Sequence, residues 1–312
     1  MPPSKILLKP GSLWQRVKAQ TQSAIICGAL HPIPTQYEFL AVQDIEFLIR
    51  ILVNLKRKEE AQKKQEEFNK KNSKAQPKNP FLPYEKDLFV SDLTDTHLCL
   101  LNKFNAVEHH LLMITRDFEA QENALTLADF LAVAVTLAEI DGLVFYNSGK
   151  TAGASQPHKH LQLVPLPLVP DTLPLPLSPW IENAIAQPEI TEISQLPFLH
   201  SLTSYQNLDW NAPETVAQTF LDAYQQLLKT VELTHKSPEK PDPYNLLMTR
   251  EWMMVIPRSQ DSYQGISINS LGFAGALLVR NGEQMEQLKQ IGPLALLQNV
   301  GIEKARPEFS DT

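Results

Sequence analysis

Hydrophobic residues recur along most of the chain at the spacings of helices and strands. Residues 124–142 show the 3.6-residue period of a helix, with Thr126 and Asp129 as a variant of the capping box and Gly142 as a stop signal. Two further helices are predicted over residues 213–231 and 282–290. Apolar runs of strand length predict strands within residues 36–55, 97–118, 143–147, 159–166 and 244–259.

Two segments interrupt this pattern. Residues 56–79 are rich in charged side chains and nearly free of residues that could be buried, so we expect a mobile or solvated insertion there. Residues 166–188 begin with a proline-rich stretch that suits neither a helix interior nor a central strand, so we expect a connector extended across the surface. The chain is thereby divided into an N-terminal part, residues 1–165, and a C-terminal part, residues 189–312.

Composition narrows the class of protein. The 312 residues are 43% hydrophobic with a net charge of -7, which suits a globular protein and argues against an extended nucleic-acid footprint. Cys27 and Cys99 lie far apart and suggest neither a disulfide framework nor a zinc ribbon. The sequence has no apolar run of bilayer length and no signal-peptide core near its start, so we expect no membrane partner and a cytoplasmic location.

Candidate chemistry concentrates in the segment NSGKTAGASQPHKHLQLVPL, residues 147–166. Gly149-Lys150-Thr151 suggests a phosphate-binding P-loop, but Val144 stands where that motif needs its first glycine, and a strand rather than a helix follows. The pair His158-x-His160 suggests a metal site, yet it provides only two ligands, and a third would have to come from elsewhere in the fold. The simplest alternative is that the two histidines only form hydrogen bonds within the protein and have no catalytic role.

A nucleophilic histidine accounts for more of this segment. Side chains alternate along a strand, so His158, His160 and Gln162 share one face, which we expect to be open to solvent. A neutral imidazole can attack phosphorus and form a labile phosphoramidate, which divides one transfer into two easier steps. Residues 153–156 form a turn whose backbone amides suit phosphate oxygens. The segment therefore predicts chemistry on a phosphorylated substrate.

The same residues resemble a known family. AGASQPHKHLQ, together with FYNSGK and LLNKFNAVEHHLLMITRDF, is similar to the ATP adenylyltransferases, or diadenosine tetraphosphate phosphorylases, of the histidine-triad-like superfamily. The likeness is specific over residues 97–166 and weaker through YNLLMTREWMMVIPRS and NSLGFAGALLV. The galactose-1-phosphate uridylyltransferases share the H-x-H-x-Q ending, but they usually carry a cluster of early Cys and His metal ligands that this sequence lacks.

The resemblance implies both a fold and a reaction. The fold would be α+β and histidine-triad-like, an antiparallel-dominated mixed sheet flanked by helices, with an ATP adenylyltransferase C-terminal part completing the site. The reaction would be reversible phosphorolysis of diadenosine tetraphosphate with phosphate to ATP and ADP, through an AMP-histidine intermediate. These nucleotides and phosphate would be the ligands. No cofactor would be required, and Mg²⁺ would only accompany the nucleotide.

The resemblance also assigns roles to individual residues. His160 would be the nucleophile, Gln162 would hold the non-bridging oxygens of the transferred phosphoryl group, and His158 would assist at the phosphates. An early lysine, Lys56 or Lys58, would contact the ligand. The other expected substrate contacts are Asn102, Lys103, Asn147, Gly149, Gly153, Ala154, Ser155, Gln156, Asn269, Ser270, Leu271, Gly272, Phe273 and Gly275.

Other functions are compatible with these residues. The substrate could instead be another dinucleotide, adenylyl sulfate or a nucleotide sugar, or a metal at His158 and His160 could hydrolyse a phosphoester. A scaffold protein that recruits partners through the lysine-rich and proline-rich segments is the non-enzymatic alternative. The oligomeric state is open, because no single exposed apolar stripe stands out in the sequence.

Overall fold

A computed structural model of the chain describes residues 4–53, 79–186, 189–233 and 239–304. Lys56, Lys58 and all but the last residue of the expected insertion lie outside these ranges. The lysine contact and the solvated insertion therefore stay predictions. In the part of the chain that is described, no helix combines the length and the apolar character needed to cross a membrane.

The three predicted helices are present, and the described residues form three further helices that the sequence pattern does not predict. Thr126 and Asp129 form the expected capping box, in which each side chain accepts a hydrogen bond from the other residue's backbone N–H. The two helices predicted in the second half of the chain have the expected bounds to within one residue. The described ranges contain α1 (Leu13–Cys27), α2 (Leu127–Glu139), α3 (Ser178–Ala184), α4 (Pro213–Thr230), α5 (Gly282–Ile291) and α6 (Pro293–Val300).

Thirteen strands are formed by the described residues, and most of them belong to one sheet. They are β1 (Thr35–Val42), β2 (Ile45–Leu52), β3 (Phe89–Asp92), β4 (His97–Leu101), β5 (Leu111–Thr115), β6 (Gly142–Asn147), β7 (His160–Pro165), β8 (Ser201–Ser204), β9 (Tyr244–Met248), β10 (Trp252–Pro257), β11 (Ser262–Tyr263), β12 (Ile266–Ser267) and β13 (Ala276–Val279).

The main sheet has eight antiparallel strands in the order β3-β4-β5-β7-β6-β9-β10-β8. A smaller sheet has the order β1-β2-β13, and there β13 runs parallel to β2. The pairing of β6 with β9 joins strands from both halves of the chain into one main sheet.

The two faces of the main sheet are covered differently. Helices α1, α2 and α4 pack on one face and share one hydrophobic cluster with it. The opposite face carries two separate clusters, one that includes Phe81 and Leu112 and a larger one that includes Phe145. Gln162 pairs with Leu112 on one side and with Phe145 on the other. His160 and Gln162 therefore lie on this second face, at the boundary between the two clusters.

The proline-rich connector does not follow the surface path expected from its sequence. Leu168, Val169, Leu175 and Leu177 are buried and belong to the larger cluster of the second face. The expected connector also contains helix α3, which has a proline in its first turn. Proline is tolerated there because the first turn has no intrahelical partner for its N–H group. The leucines between the prolines thus bury apolar area that a surface connector would leave exposed.

A buried ion pair fixes the start of β7 from the helix-covered face. The Nζ atom of Lys159 donates to Asp129 Oδ2 at 2.7 Å, to Ala124 O at 3.0 Å and to Glu119 Oε2 at 3.2 Å. Burial by itself would raise the pKa of Asp129, but Lys159 and His97 hold that pKa well below its ordinary value. Lys159 stands between the two signature histidines in sequence, so the pair ties that point of the strand to the first turn of α2.

We expect Lys159→Met to lower the free energy of unfolding by about 3–5 kcal/mol, because it leaves the Asp129 carboxylate buried without its cation. The change is measured by urea denaturation at neutral pH. Lys289→Met is the matched control, since Lys289 pairs with Glu286 at 2.8 Å on the surface, and it should leave stability almost unchanged. Equal effects of the two substitutions would contradict a structural role for the Lys159 pair.

Candidate active site

His160 begins strand β7 and is held as a neutral ring. Its side chain is only 4% exposed, so the expectation of a solvent-facing histidine is wrong. The ring Nδ1 lies 2.8 Å from the carbonyl oxygen of His158. A carbonyl only accepts, so Nδ1 carries the proton and the lone pair sits on Nε2. Burial lowers the pKa of His160 to about 4, and the ring is therefore an uncharged potential nucleophile at neutral pH.

His158 supports this arrangement through its backbone and its ring. The ring Nε2 lies 2.9 Å from Thr115 O, so it is the donor, and Nδ1 accepts from Asn79 Nδ2 at 2.8 Å. Phe81 packs against the rings of both His158 and His160, with centroid distances of 5.5 Å. Because both ring nitrogens of His158 are engaged, contact between this ring and a phosphate would require one of these bonds to break. The expected role at the phosphates stays a prediction.

Gln162 contacts a third histidine that the sequence analysis left unassigned. The Oε1 atom of Gln162 lies 2.9 Å from Nε2 of His110, and the Nδ1 atom of His110 lies 3.2 Å from Nδ2 of Asn102. Burial lowers the pKa of His110 to about 4. Asn102 therefore reaches the site through His110, whereas its neighbour Lys103 forms an ion pair with Glu85.

A cavity of about 640 Å³ lies between residues 149–157 and residues 261–278. Its lining includes Gln121, which contacts the backbone of His160, but not the side chains of His160, Gln162 or His110. Gly153 adopts a φ of +91°, and a Cβ atom there would lie 2.6 Å from the carbonyl oxygen of Ile268, so only glycine lets the two walls meet. The predicted contacts that line the cavity are Gly149, Gly153, Ala154, Ser155, Gln156, Asn269 and Gly272.

Positive charge lies in and behind the cavity wall. Lys150 lines the cavity and is exposed. Arg258 is buried behind it and donates to backbone carbonyls that include Ala152 O and Ile268 O, both at 3.2 Å. Burial lowers the pKa of Arg258 to about 10, so the guanidinium remains charged at neutral pH. The lining also carries the acidic residues Glu122 and Asp261, so the cavity combines both signs of charge and the positive charge is local to Lys150 and Arg258.

Several other predicted contacts support the wall from behind. The Oδ1 atom of Asn147 accepts from Asn245 Nδ2 at 2.9 Å and from Ser270 N and Oγ at 2.9 and 2.8 Å. Phe273 is buried against Arg258 and Phe198. The lining residues do not include Asn147, Ser270, Leu271, Phe273 or Gly275. Their expected ligand contacts stay predictions, while the protein contacts of Asn147, Ser270 and Phe273 show a structural role.

Gln121 is a further residue that the sequence analysis missed. Its Oε1 atom accepts from His160 N at 2.8 Å, and its Nε2 atom donates to Asn147 O at 2.9 Å. Gln121 also lines the cavity, so one side chain connects the cavity wall to the backbone of the nucleophile.

In the ranges that the structure covers, no three His, Cys, Asp or Glu side chains converge as a metal-binding group.

The chain is an α+β protein in which His160 and Gln162 of the H-x-H-x-Q segment lie on an inner strand of an antiparallel sheet. Two family models match the chain: the Ap4A phosphorylase N-terminal domain over residues 3–183 and the ATP adenylyltransferase C-terminal domain over residues 194–303. The chain belongs to the Ap4A phosphorylase family, and the resemblance noted from the sequence is confirmed.

Similar proteins agree with this assignment. Diadenosine 5',5'''-P1,P4-tetraphosphate phosphorylase 2 of Saccharomyces cerevisiae is 31% identical over 243 residues, covering 70% of this chain and 74% of the yeast protein. Protein APA1 of the same yeast is 29% identical over 204 residues, covering 61% and 64%. The crystal structure of yeast Ap4A phosphorylase Apa2 in complex with Ap4A matches with a TM-score of 0.74 at 22% identity, covering 96% of this chain and 100% of that one. The predicted α+β fold is thereby confirmed.

The buried histidines predict a loss of stability in mild acid. Burial lowers the pKa values of His110, His160 and His200 from 6.5 to about 4. Between these values the unfolded chain binds protons that the folded chain excludes, so the free energy of unfolding should fall as the pH drops from 6.5 towards 4. Urea denaturation at several pH values measures this slope.

His200→Asn provides the internal control for this slope. Removing one buried imidazole should reduce the slope by up to about 1.4 kcal/mol per pH unit. A free energy of unfolding that is constant or rises as the pH falls through this interval would contradict the account.

Proposed function

We propose that the chain is an ATP adenylyltransferase that catalyses reversible phosphorolysis of diadenosine tetraphosphate to ATP and ADP. The observation that carries this proposal is the 2.8 Å hydrogen bond from His160 Nδ1–H to His158 O, which leaves the lone pair on Nε2. A nucleophile in this form needs no separate base to deprotonate it. The family assignment and the name of the yeast phosphorylase support the choice of substrate.

The proposed reaction has two transfers on one phosphorus atom. The Nε2 atom of His160 attacks the phosphorus of one adenylyl group, an N–P bond forms, and the P–O bond to the rest of the substrate breaks with release of ATP. An oxygen of inorganic phosphate then attacks the same phosphorus, the N–P bond breaks, and ADP leaves. His160 returns to its neutral form, so the enzyme is ready for the next substrate.

The negative charge on the phosphoryl oxygens is stabilised by groups near the boundary of the two hydrophobic clusters on the second face of the main sheet. The amide nitrogen of Gln162 is a donor for a non-bridging oxygen. At the cavity wall the backbone amides of Ser155 and Gln156 are the donors, because those of Gly153 and Ala154 donate to Lys150 O and Gly149 O. Lys150 and Arg258 add positive charge near the same wall. In this proposal catalysis rests on positioning and charge stabilisation, as is general for phosphoryl transfer.

The proposal requires no cofactor of the protein, and Mg²⁺ would enter with the polyphosphate. The proposed location is the cytoplasm, on the sequence argument given above. Other dinucleotides, adenylyl sulfate and nucleotide sugars are the alternative substrates, and product analysis separates them from diadenosine tetraphosphate.

We expect His160→Asn to reduce kcat for phosphorolysis by about 10⁴-fold or more, because it removes the nucleophilic nitrogen. Asparagine preserves a donor at the position of Nδ1, so the bond to His158 O can be retained. Purified protein is incubated with diadenosine tetraphosphate with and without phosphate, and the nucleotides are separated by chromatography. The wild type should form equal amounts of ATP and ADP only when phosphate is present.

His200→Asn is the matched control for this substitution. His200 is buried, and its Nδ1 atom donates to Phe198 O at 2.8 Å, the same geometry as in His160, but it lies beside the edge strand β8. Its activity should remain close to that of the wild type. Substantial turnover by His160→Asn would refute the nucleophile assignment, and symmetric products without phosphate would identify a hydrolase instead.

A further inference from the structure

Three hydrogen bonds connect a backbone amide to Gln162. Phe104 N donates to Asn102 Oδ1 at 3.3 Å, Asn102 Nδ2 lies 3.2 Å from His110 Nδ1, and His110 Nε2 lies 2.9 Å from Gln162 Oε1. A second contact joins the same two elements, since Asn102 N donates to His110 O at 2.8 Å. His110 is 8% exposed. The chain of bonds is thus short, buried at its centre and fixed to backbone at its outer end.

The direction of every bond in this chain follows from its outer end. A backbone N–H can only donate, so the Asn102 atom that faces Phe104 is its oxygen, and the atom that faces His110 is its nitrogen. An amide nitrogen only donates, so Nδ1 of His110 accepts and its Nε2 carries the proton. That proton requires an acceptor, so the oxygen of Gln162 faces His110.

The orientation of the Gln162 amide matters because a phosphoryl oxygen only accepts hydrogen bonds. With Oε1 directed at His110, the amide nitrogen and its two protons are available to donate a hydrogen bond to the substrate. The reversed amide would present an oxygen to an anion, and that contact is repulsive. An isolated glutamine has no strong preference between the two orientations, so the choice must come from its neighbours.

We propose that His110 is a positioning residue that selects the donor orientation of Gln162. It acts through Gln162 rather than on the substrate, and Asn102 acts one step behind it by fixing the tautomer of His110. This inference rests on the proposed function, because that function is what gives Gln162 an anionic oxygen to bind.

The first test is a pair of substitutions assayed for phosphorolysis. His110→Leu keeps apolar bulk and removes the donor, so kcat should fall by about 10- to 100-fold, less than the full loss of an oxyanion donor, with little change in KM. His110→Gln can place an amide N–H near the position of Nε2 and should restore most of the rate. A role in packing alone predicts the reverse order, with the leucine variant close to wild type and the glutamine variant impaired.

A double-substitution cycle separates positioning from other effects. In a Gln162→Ala background, His110→Leu should cause no further loss of kcat, because the group that it positions is already absent. Thermal denaturation of each variant checks that the compared proteins are folded. Fully additive losses would overturn the inference, since His110 would then act independently of Gln162.

A measurement without substrate keeps this inference separate from the proposed function. Nitrogen NMR of protein labelled with ¹⁵N-histidine reports which ring nitrogen carries the proton, and His110→Gln identifies the His110 signals. The inference predicts the Nε2–H tautomer at neutral pH, with a shift of this signal in Gln162→Ala. If the spectrum instead shows the Nδ1–H tautomer of His110, the inference is wrong, whether or not the enzyme is active. A wild type that leaves diadenosine tetraphosphate unchanged would refute only the proposed function.

Discussion

The active site depends on the hydrogen bond from His160 Nδ1–H to the carbonyl oxygen of His158. This bond determines which nitrogen holds the lone pair, and burial keeps the ring uncharged. A buried imidazole is useful as a nucleophile only if its position and tautomer are both fixed, since it cannot exchange hydrogen bonds with bulk water. The contacts around it can be understood in this way: Gln121 holds its backbone, and Phe81 packs on its ring.

The two faces of the sheet meet this requirement by different means. On the helix-covered face, the Lys159–Asp129 pair ties the residue just before β7 to the first turn of α2, which limits movement of the strand. On the other face, the apolar cover is split into two clusters, and polar side chains occupy the boundary between them. His160 therefore has a rigid support on one side of the sheet and polar neighbours on the other.

The second half of the chain completes the site rather than forming a separate one. Strand β9 pairs with β6, Asn245 bonds to Asn147, and Arg258 binds carbonyl oxygens on both walls of the cavity. The family models divide the chain between residues 183 and 194, yet the hydrogen bonds at the cavity cross that division. The geometry of residues 149–157 therefore depends on contacts with residues 245–270.

The local features of the fold could be predicted from sequence, and the contacts between distant segments could not. The capping box of α2 and the alternation of His160 and Gln162 along β7 are set by residues only a few positions apart. The burial of His160 depends on Phe81, which lies almost eighty positions earlier, and the role of His110 depends on the pairing of β5 with β7. Helix α1 was not predicted because its buried side is a narrow row, Leu13, Val17, Thr21 and Ala24.

The most direct test of the central claim is to detect the covalent intermediate. Wild-type protein is mixed with diadenosine tetraphosphate in the absence of phosphate, quenched without acid, and analysed by intact mass and peptide mapping. The account predicts one acid-labile adenylyl group on His160, which added phosphate converts to ADP at a rate at least equal to turnover. Phosphate-dependent turnover with no adduct on His160, or with an adduct on another residue, would contradict it.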